Sequence, residues 1–150
     1  MMDCNSVMVL FALLGCSYAG TISKCDVVKA LRAESVPDSD LRDWLCLVEH
    51  ESSFRYELEH VNSDKSIDYG IFQLNNKYWC DRPTPVDTSK CWKFNTCGCT
   101  DTCTSLIDSD ISNDAKCAVQ VKNCNDFDEW YGWRDHCANV QSSEYDFSDC

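Results

Sequence analysis

The alternation of polar and apolar positions changes period several times along the chain. Val7 to Leu14 (VMVLFALL) is an unbroken apolar run, too short to cross a bilayer as a helix. Ser17-Tyr18-Ala19 follows, with small residues at the two positions a signal peptidase reads. Residues 1–19 are therefore expected to be a secretory leader cut after Ala19, although Asp3, and no Lys or Arg, precedes the run. Beyond it, Cys25, Val28 and Leu31 share one helical stripe, behind a Ser23 that can cap through Asp26. Pro37-Asp38-Ser39 opens a second helix, expected from Asp40 to about Phe54. Residues 61–76 (VNSDKSIDYGIFQLNN) read differently. Polar turn residues lead to Tyr69, Ile71 and Leu74 around Gly70, which predicts short strands and tight turns. Residues 80–103 are loop-like and hold five of the cysteines. Ser109 or Asp110 caps a third helix with Ile111, Ala115, Ala118 and Val119 inward. A fourth is expected from Asp126 to His136, with Phe127, Trp130 and Trp133 on one face. The pattern is α+β: a helical lobe with a small β lobe inserted.

Composition narrows the setting. Thirteen cysteines in 150 residues point to an oxidising compartment and a disulfide framework. Loss of the leader removes one acid and no base, moving the net charge from −12 to −11. A chain this acidic does not seek nucleic acid or an anionic membrane through bulk charge. No further segment is long and apolar enough to span a bilayer. The expectation is a soluble, secreted, single-domain product over residues 20–150.

The chemistry concentrates in CLVEHESSF, residues 46–54. On a helix, Trp44, Leu47, Glu51 and Phe54 form one stripe, while Glu49 lies about 200° around the axis from Glu51. Glu51 is thus the glutamate among apolar neighbours. A carboxyl there resists losing its proton, which is what a general acid needs. On spacing alone, pairing with an arginine or capping is the preferred reading, since ion-pair networks are common. Asp68 sits in SIDYGIFQLN, in a strand context, with Ser66, Gln73, Asn75 and Asn76 as candidate polar neighbours that would keep it ionised. A polar turn is the plain alternative. Two carboxyls in contrasting environments, one neutral and one charged, are the equipment for cleaving a glycosidic bond.

Five segments carry a resemblance: CLVEHESS at 46–53, SIDYGIFQLN at 66–75, YWC at 78–80, the Cys99–Cys103 spacing, and WYGWRDHC at 130–137. Taken in this order, they make the mature chain similar to the c-type lysozymes, nearest in character to the invertebrate members. Lysozymes are themselves the type example of two carboxyls tuned apart by their surroundings. The resemblance implies a lysozyme-like α+β fold, disulfide-stapled, with an active-site cleft between a helical lobe and a small antiparallel β lobe. It implies hydrolysis of the β-1,4 bond between N-acetylmuramic acid and N-acetylglucosamine in peptidoglycan, with chitin-like oligosaccharide as a weaker substrate. Glu51 matches the family's general acid and Asp68 its nucleophile or electrostatic stabiliser. Asn62, Gln73 and Asn75 match polar residues lining the sugar cleft. Tyr78 and Trp79 match an aromatic pair that meets sugar rings, and Trp130 the tryptophan packed against the acid. Core packing is the alternative for Trp79 and Trp130, and Trp133 is assigned to the core. The family's bridges map onto Cys25–Cys150, Cys46–Cys137, Cys80–Cys103 and Cys99–Cys117. No cofactor, metal, nucleic-acid or membrane partner is expected, and the chain is expected to be a monomer. The rival function is that of non-catalytic relatives that bind glycans or modulate partner enzymes. Those typically lack one or both carboxyls, and this chain keeps both.

Several features depart from the family. Cys91, Cys97 and Cys124 remain after the four mapped bridges, and residues 80–99 appear as a lengthened loop. Closure by Cys91–Cys97 is the expectation, with Cys97–Cys124 the alternative; either leaves one thiol over. Glu129 stands beside Trp130 where the family has a small residue. Its charge would raise the Glu51 pKa further if the two are close. Scarce basic residues remove long-range attraction to anionic bacterial walls and favour a digestive or acidic-compartment role over a circulating antibacterial one. Some relatives, including the α-lactalbumins, bind calcium in the loop before the third helix. Here Asp108, Asn113 and Asp114 fall at side-chain ligand positions, and Ser105 and Asp110 at carbonyl positions. Asn113 replaces a carboxylate, so a capped helix start is the preferred reading and no metal is assigned.

Overall fold

The computed structural model describes residues 20–85 and 92–150; the expected leader and Cys91 lie outside them. Helix α1 (Lys24–Ala33) begins at Ser23, whose hydroxyl accepts from the Asp26 N–H at 3.1 Å, and it buries Val28 and Leu31. A 3-10 turn at Asp38–Asp40 leads into α2 (Leu41–Ser52). The expected Asp40–Phe54 helix is corrected at its end. Ser53 and Phe54 take left-handed backbone, φ 52° and 61°, and the Phe54 carbonyl accepts from the Ile22 N–H at 2.9 Å. That tertiary bond turns the chain away before another helical turn can form. The middle of α2 is buried on more than the expected stripe: Leu45, Cys46 and Val48 join Trp44 and Leu47. It is the central helix of its lobe, packed against both α1 and α5.

The β lobe is an antiparallel meander of β1 (Glu59–Val61), β2 (Ile67–Tyr69) and β3 (Leu74–Asn75). Its register sets His60 opposite Asp68 and Asp68 opposite Asn75. Gly70 ends β2 with φ +73°, and a Cβ there would come 1.9 Å from the Leu106 carbonyl. A side chain is excluded, so the sheet can lie against the 3-10 turn at Cys103–Leu106.

Two expectations in the second half are corrected. The region expected to be loop holds a helix, α3 (Trp92–Cys97), which packs on α4 (Ser112–Asn125). The expected helix from Asp126 to His136 is two pieces, a 3-10 turn at Phe127–Glu129 and α5 (Tyr131–His136). The break is Trp130, in extended backbone with φ −102° and ψ 123°. Extension drives its ring inward, to 5.7 Å from Trp44, and lets its Nε1 donate to the Phe72 carbonyl at 2.9 Å. Trp44 also meets Phe72 at 5.5 Å and Phe127 at 4.9 Å, all edge-on. Each such pair adds about 0.5–1.5 kcal/mol beyond burial, so this cluster holds the two lobes to one core.

The structure pairs Cys25–Cys150, Cys46–Cys137, Cys80–Cys103 and Cys99–Cys117. It also pairs Cys97 with Cys124, which corrects the expected Cys91–Cys97 closure. The reason is orientation. Cys97 ends α3, which lies on α4, bringing its Cα within 5.8 Å of Cys124. Among the described residues no helix is long and apolar enough to cross a membrane.

Candidate active site

A cleft of about 740 Å³ is lined by residues of both lobes. Glu51 enters it from the last turn of α2, and Asp68 from the middle of β2. Asn62, Gln73, Asn75, Tyr78, Trp79 and Trp130 also line it. All eight residues that the resemblance marked as catalytic or substrate-binding are thus gathered at one surface.

The two carboxyls have different surroundings. Burial raises the Glu51 pKa above the ordinary glutamate value, the Gly132 N–H pulls it back, and the charge of Asp68 raises it further. Gly132 donates to Glu51 Oε1 at 2.8 Å. A Cβ at residue 132 would lie 2.7 Å from that same oxygen, so the missing side chain is what lets the backbone come so close. Asp68 is held by amides. Asn62 Nδ2 donates to Oδ2 at 2.8 Å and Asn75 Nδ2 to Oδ1 at 2.6 Å. The sheet register places Asn75 directly across from it, and Asn75 Nδ2 also reaches the Ser66 hydroxyl at 2.9 Å. The expected set of Asp68 neighbours is therefore corrected. Asn62 replaces Gln73 and Asn76 as a partner. Gln73 Nε2 donates to the Leu58 and Gly70 carbonyls at 3.1 and 2.8 Å, bracing the β2–β3 turn, while Asn76 Oδ1 accepts from the Ile67 N–H.

The aromatic pair divides its work. Tyr78 is half-buried on the cleft wall, whereas Trp79 is 6% exposed and belongs mainly to the core. Trp130 is likewise buried. Trp133 is half-buried, stacked on Phe127 at 5.4 Å, with Nε1 donating to Asp43 Oδ1 at 2.9 Å. Nearby, the Ser66 hydroxyl and N–H, with the Lys77 ammonium, draw Asp64 down to about 2.

Glu129 does not act as expected. Its carboxylate bonds Lys93 on α3 at 2.6 Å and accepts from Asn125 Nδ2. Lys93 neutralises it, and Asp68 is the charge that raises Glu51. Lys93 also stands 5.9 Å from the Trp79 ring. The ion pair and the Cys97–Cys124 bridge thus fasten α3 to the helical lobe at the rim of the cleft.

In the loop before α4 the candidate cation ligands are engaged in local hydrogen bonds, except Asp114, whose buried Oδ2 has no hydrogen-bond partner among the described residues. Asn113 Nδ2 donates to the Ser105 carbonyl and hydroxyl at 3.0 and 3.1 Å, engaging the carbonyl that a cation would need. Asp108 Oδ1 accepts from the Asp110 N–H, and Asp110 Oδ1 from Ser112. These bonds order the turn before α4, but the expected Ser109 or Asp110 cap is corrected: the N-cap residue is Ile111, with no side-chain cap bond.

A desolvated acid and an amide-held carboxylate sharing an open polar cleft can protonate a leaving oxygen and meet the positive charge left behind. Such a cleft, between a disulfide-bonded helical lobe and a small sheet, marks the α+β glycan-cleft class. The chain belongs to the C-type lysozyme/alpha-lactalbumin family, whose pattern matches residues 20–150. It is 39% identical to Lysozyme c-1 of Anopheles gambiae over 86% of this chain and 87% of the mosquito protein. It is 43% identical to a lysozyme of Galleria mellonella over 79% of this chain and 92% of that protein. With a lysozyme of Bombyx mori it shares 36% identity over 95% of this chain and 98% of that one.

Sequence reasoning missed Gly132, because its contribution is a backbone N–H that contacts a residue 81 positions away. It also missed the ion pair of Lys93 with Glu129, which α3 creates. The only advance signal for Gly132 was a glycine inside an apparent helix, which often marks close approach.

Proposed function

We propose that this protein is a secreted lysozyme, a retaining glycoside hydrolase that splits the β-1,4 bond between N-acetylmuramic acid and N-acetylglucosamine in peptidoglycan. Chitin oligomers are weaker substrates, and the use is digestive, bacteriolytic or both. Residues 1–19 are removed as a leader and residues 20–150 act as a monomer. Glu51 gives its proton to the glycosidic oxygen as the bond to the anomeric carbon breaks. The leaving sugar departs with that proton as its hydroxyl. Asp68 bonds to the anomeric carbon or balances its positive charge. Water then attacks from the face the leaving sugar vacated, any bond to Asp68 breaks to return its carboxylate, and Glu51 takes up the proton that water releases. Asn62 and Asn75 keep Asp68 aimed, since each of its oxygens is held by one amide.

The observation that carries this reading is the contrast between Glu51 and Asp68 within one cleft. The test is clearing of a peptidoglycan suspension from pH 4 to 8 by the native protein, Glu51→Gln and Asp68→Asn. The native protein should clear the walls and Glu51→Gln should not. If the folded native protein clears nothing at any pH yet binds glycan, the hydrolase reading fails and glycan binding replaces it.

A further inference from the structure

Helix α3 and the residues that follow it are fastened from two directions. Toward Trp79, the Cys99 N–H donates to the Trp79 carbonyl at 2.7 Å, the Arg82 N–H to the Cys99 carbonyl at 3.1 Å, and Arg82 Nη1 to the Asn95 carbonyl at 2.8 Å. Gly98 permits this approach. A Cβ there would lie 2.6 Å from the Phe94 carbonyl oxygen and 3.2 Å from that of Tyr78. Toward α4, Cys97 is bridged to Cys124, and Gln120 Nε2 donates to the Cys97 and Gly98 carbonyls at 3.1 and 3.0 Å.

Lys93 on this helix makes the join across the cleft. Its ammonium pairs with Glu129 at 2.6 Å, and the same carboxylate accepts from Asn125 Nδ2. Lys93 and Glu129 both line the cleft. Glu129 stands next to Trp130 in the chain, while the Lys93 ammonium lies over the Trp79 ring, 5.9 Å from its centroid. Trp79 is left 6% exposed. An aromatic ring that the family resemblance marks for sugar is therefore covered by a cation of the chain itself. Both members of the pair arise where this chain departs from its family. Lys93 comes from the lengthened stretch 80–99, and Glu129 from a position where the family has a small residue.

We propose that the Lys93–Glu129 pair is a clasp that closes the cleft over Trp79 and so sets the length of glycan the protein can use. Short segments are held fully, and a longer strand gains nothing from a sugar that would need the Trp79 face. The inference rests on the proposed function for the nature of the ligand, a β-1,4-linked amino-sugar chain. Such a sugar must first part an ion pair whose side chains are 31% and 13% exposed, and a partly buried pair is screened less than a surface one. The Cys97–Cys124 bridge keeps α3 from yielding instead.

Binding can be measured without turnover in a Glu51→Gln background, by calorimetry on chitobiose and chitohexaose. Adding Glu129→Ala or Lys93→Ala opens the clasp. Lys93→Ala leaves Glu129 its bond from Asn125, so it serves where Glu129→Ala does not fold. Either opened variant should bind chitohexaose about five- to tenfold more tightly, which is what roughly 40–50 Å² of newly buried apolar ring face supplies. Chitobiose binding should change less than about twofold, which also shows that the rest of the cleft is intact. The reversed pair, Lys93→Glu/Glu129→Lys, should close the clasp again and return chitohexaose to its weaker binding, a rescue that loss of packing alone would not give. No gain on chitohexaose, a change of the same size on chitobiose, or no binding of either glycan overturns the clasp. Wall clearing by the native protein reads the hydrolase separately. A native protein that clears no walls, with the length-selective gain present, would overturn the hydrolase reading and leave the clasp standing.

Discussion

Replacing Asp114 by asparagine should remove most of a pH-dependent instability built into α4. The Asp114 side chain sits in the first turn of that helix, is 1% exposed, and its Oδ2 has no hydrogen-bond partner among the described residues. Its Oδ1 lies under the β2–β3 turn, 2.8 Å from where a Cβ on Gly70 would be. Burial pushes its carboxyl from 3.8 up to about 8, with the charges of Asp108, Asp110 and Asp101 adding to the effect and its own backbone N–H opposing it. An unfolded chain releases this proton near 3.8, while the folded chain keeps it to about 8. Between those values the unfolded state binds fewer protons. The stabilisation is therefore full at acid pH and is lost as pH rises through that window. At about 1.4 kcal/mol per pH unit, the loss between pH 4.5 and 7.5 comes to about 4 kcal/mol. That is a large part of the stability of a domain this size. Asparagine has nearly the same shape and does not titrate. Guanidinium unfolding with disulfides intact and chelator present would be followed at pH 4.5, 6 and 7.5. The stability difference between variant and native protein should grow in the variant's favour across the series. Parallel curves, differing by a constant to within about 0.5 kcal/mol, would refute the reasoning.

Further outcomes follow from the cleft and the framework. In Asp68→Asn, the Glu51 carboxyl followed by NMR should titrate at lower pH than in the native protein, because a raising charge is gone; an unchanged titration would show that the two groups do not sense each other. Native wall clearing should persist above the ordinary carboxylate range and fall as pH rises through the raised Glu51 value; an alkaline limb at an ordinary glutamate pKa would contradict the burial of the acid. Asn75→Ala removes the 2.6 Å donor to Asp68 and should lower kcat/KM about ten- to a hundredfold, with the circular dichroism of the helices unchanged. The double variant Cys97→Ala/Cys124→Ala opens a loop of sequence separation 27 and should cost about 3 kcal/mol in denaturant unfolding, whereas an unaltered midpoint would mean that this bridge does not form.

Local order was readable from residues close together in the chain. The Ser23 cap acts over three residues, the α1 stripe over a few turns, and the strands around Gly70 over a single meander. Glu51 and Asp68 stood out because one lies in an apolar helix stripe and the other in a polar strand. The cysteine pairs needed the family resemblance, since spacing alone permits many connectivities. Tertiary structure decided the rest. It ended α2 at Ser52 through a bond to Ile22, broke the last helix at Trp130 to seat its ring beside Trp44, and sent Cys97 to Cys124. It also chose Asn62 over Gln73 as a partner of Asp68, cancelled Glu129 with Lys93, and brought the Gly132 N–H to Glu51. The physical reason is common to all of these. Periodicity reports which side of an element turns inward. The partner of a buried proton, sulfur or charge is set by which elements pack together, and those partners are here as many as 125 residues apart.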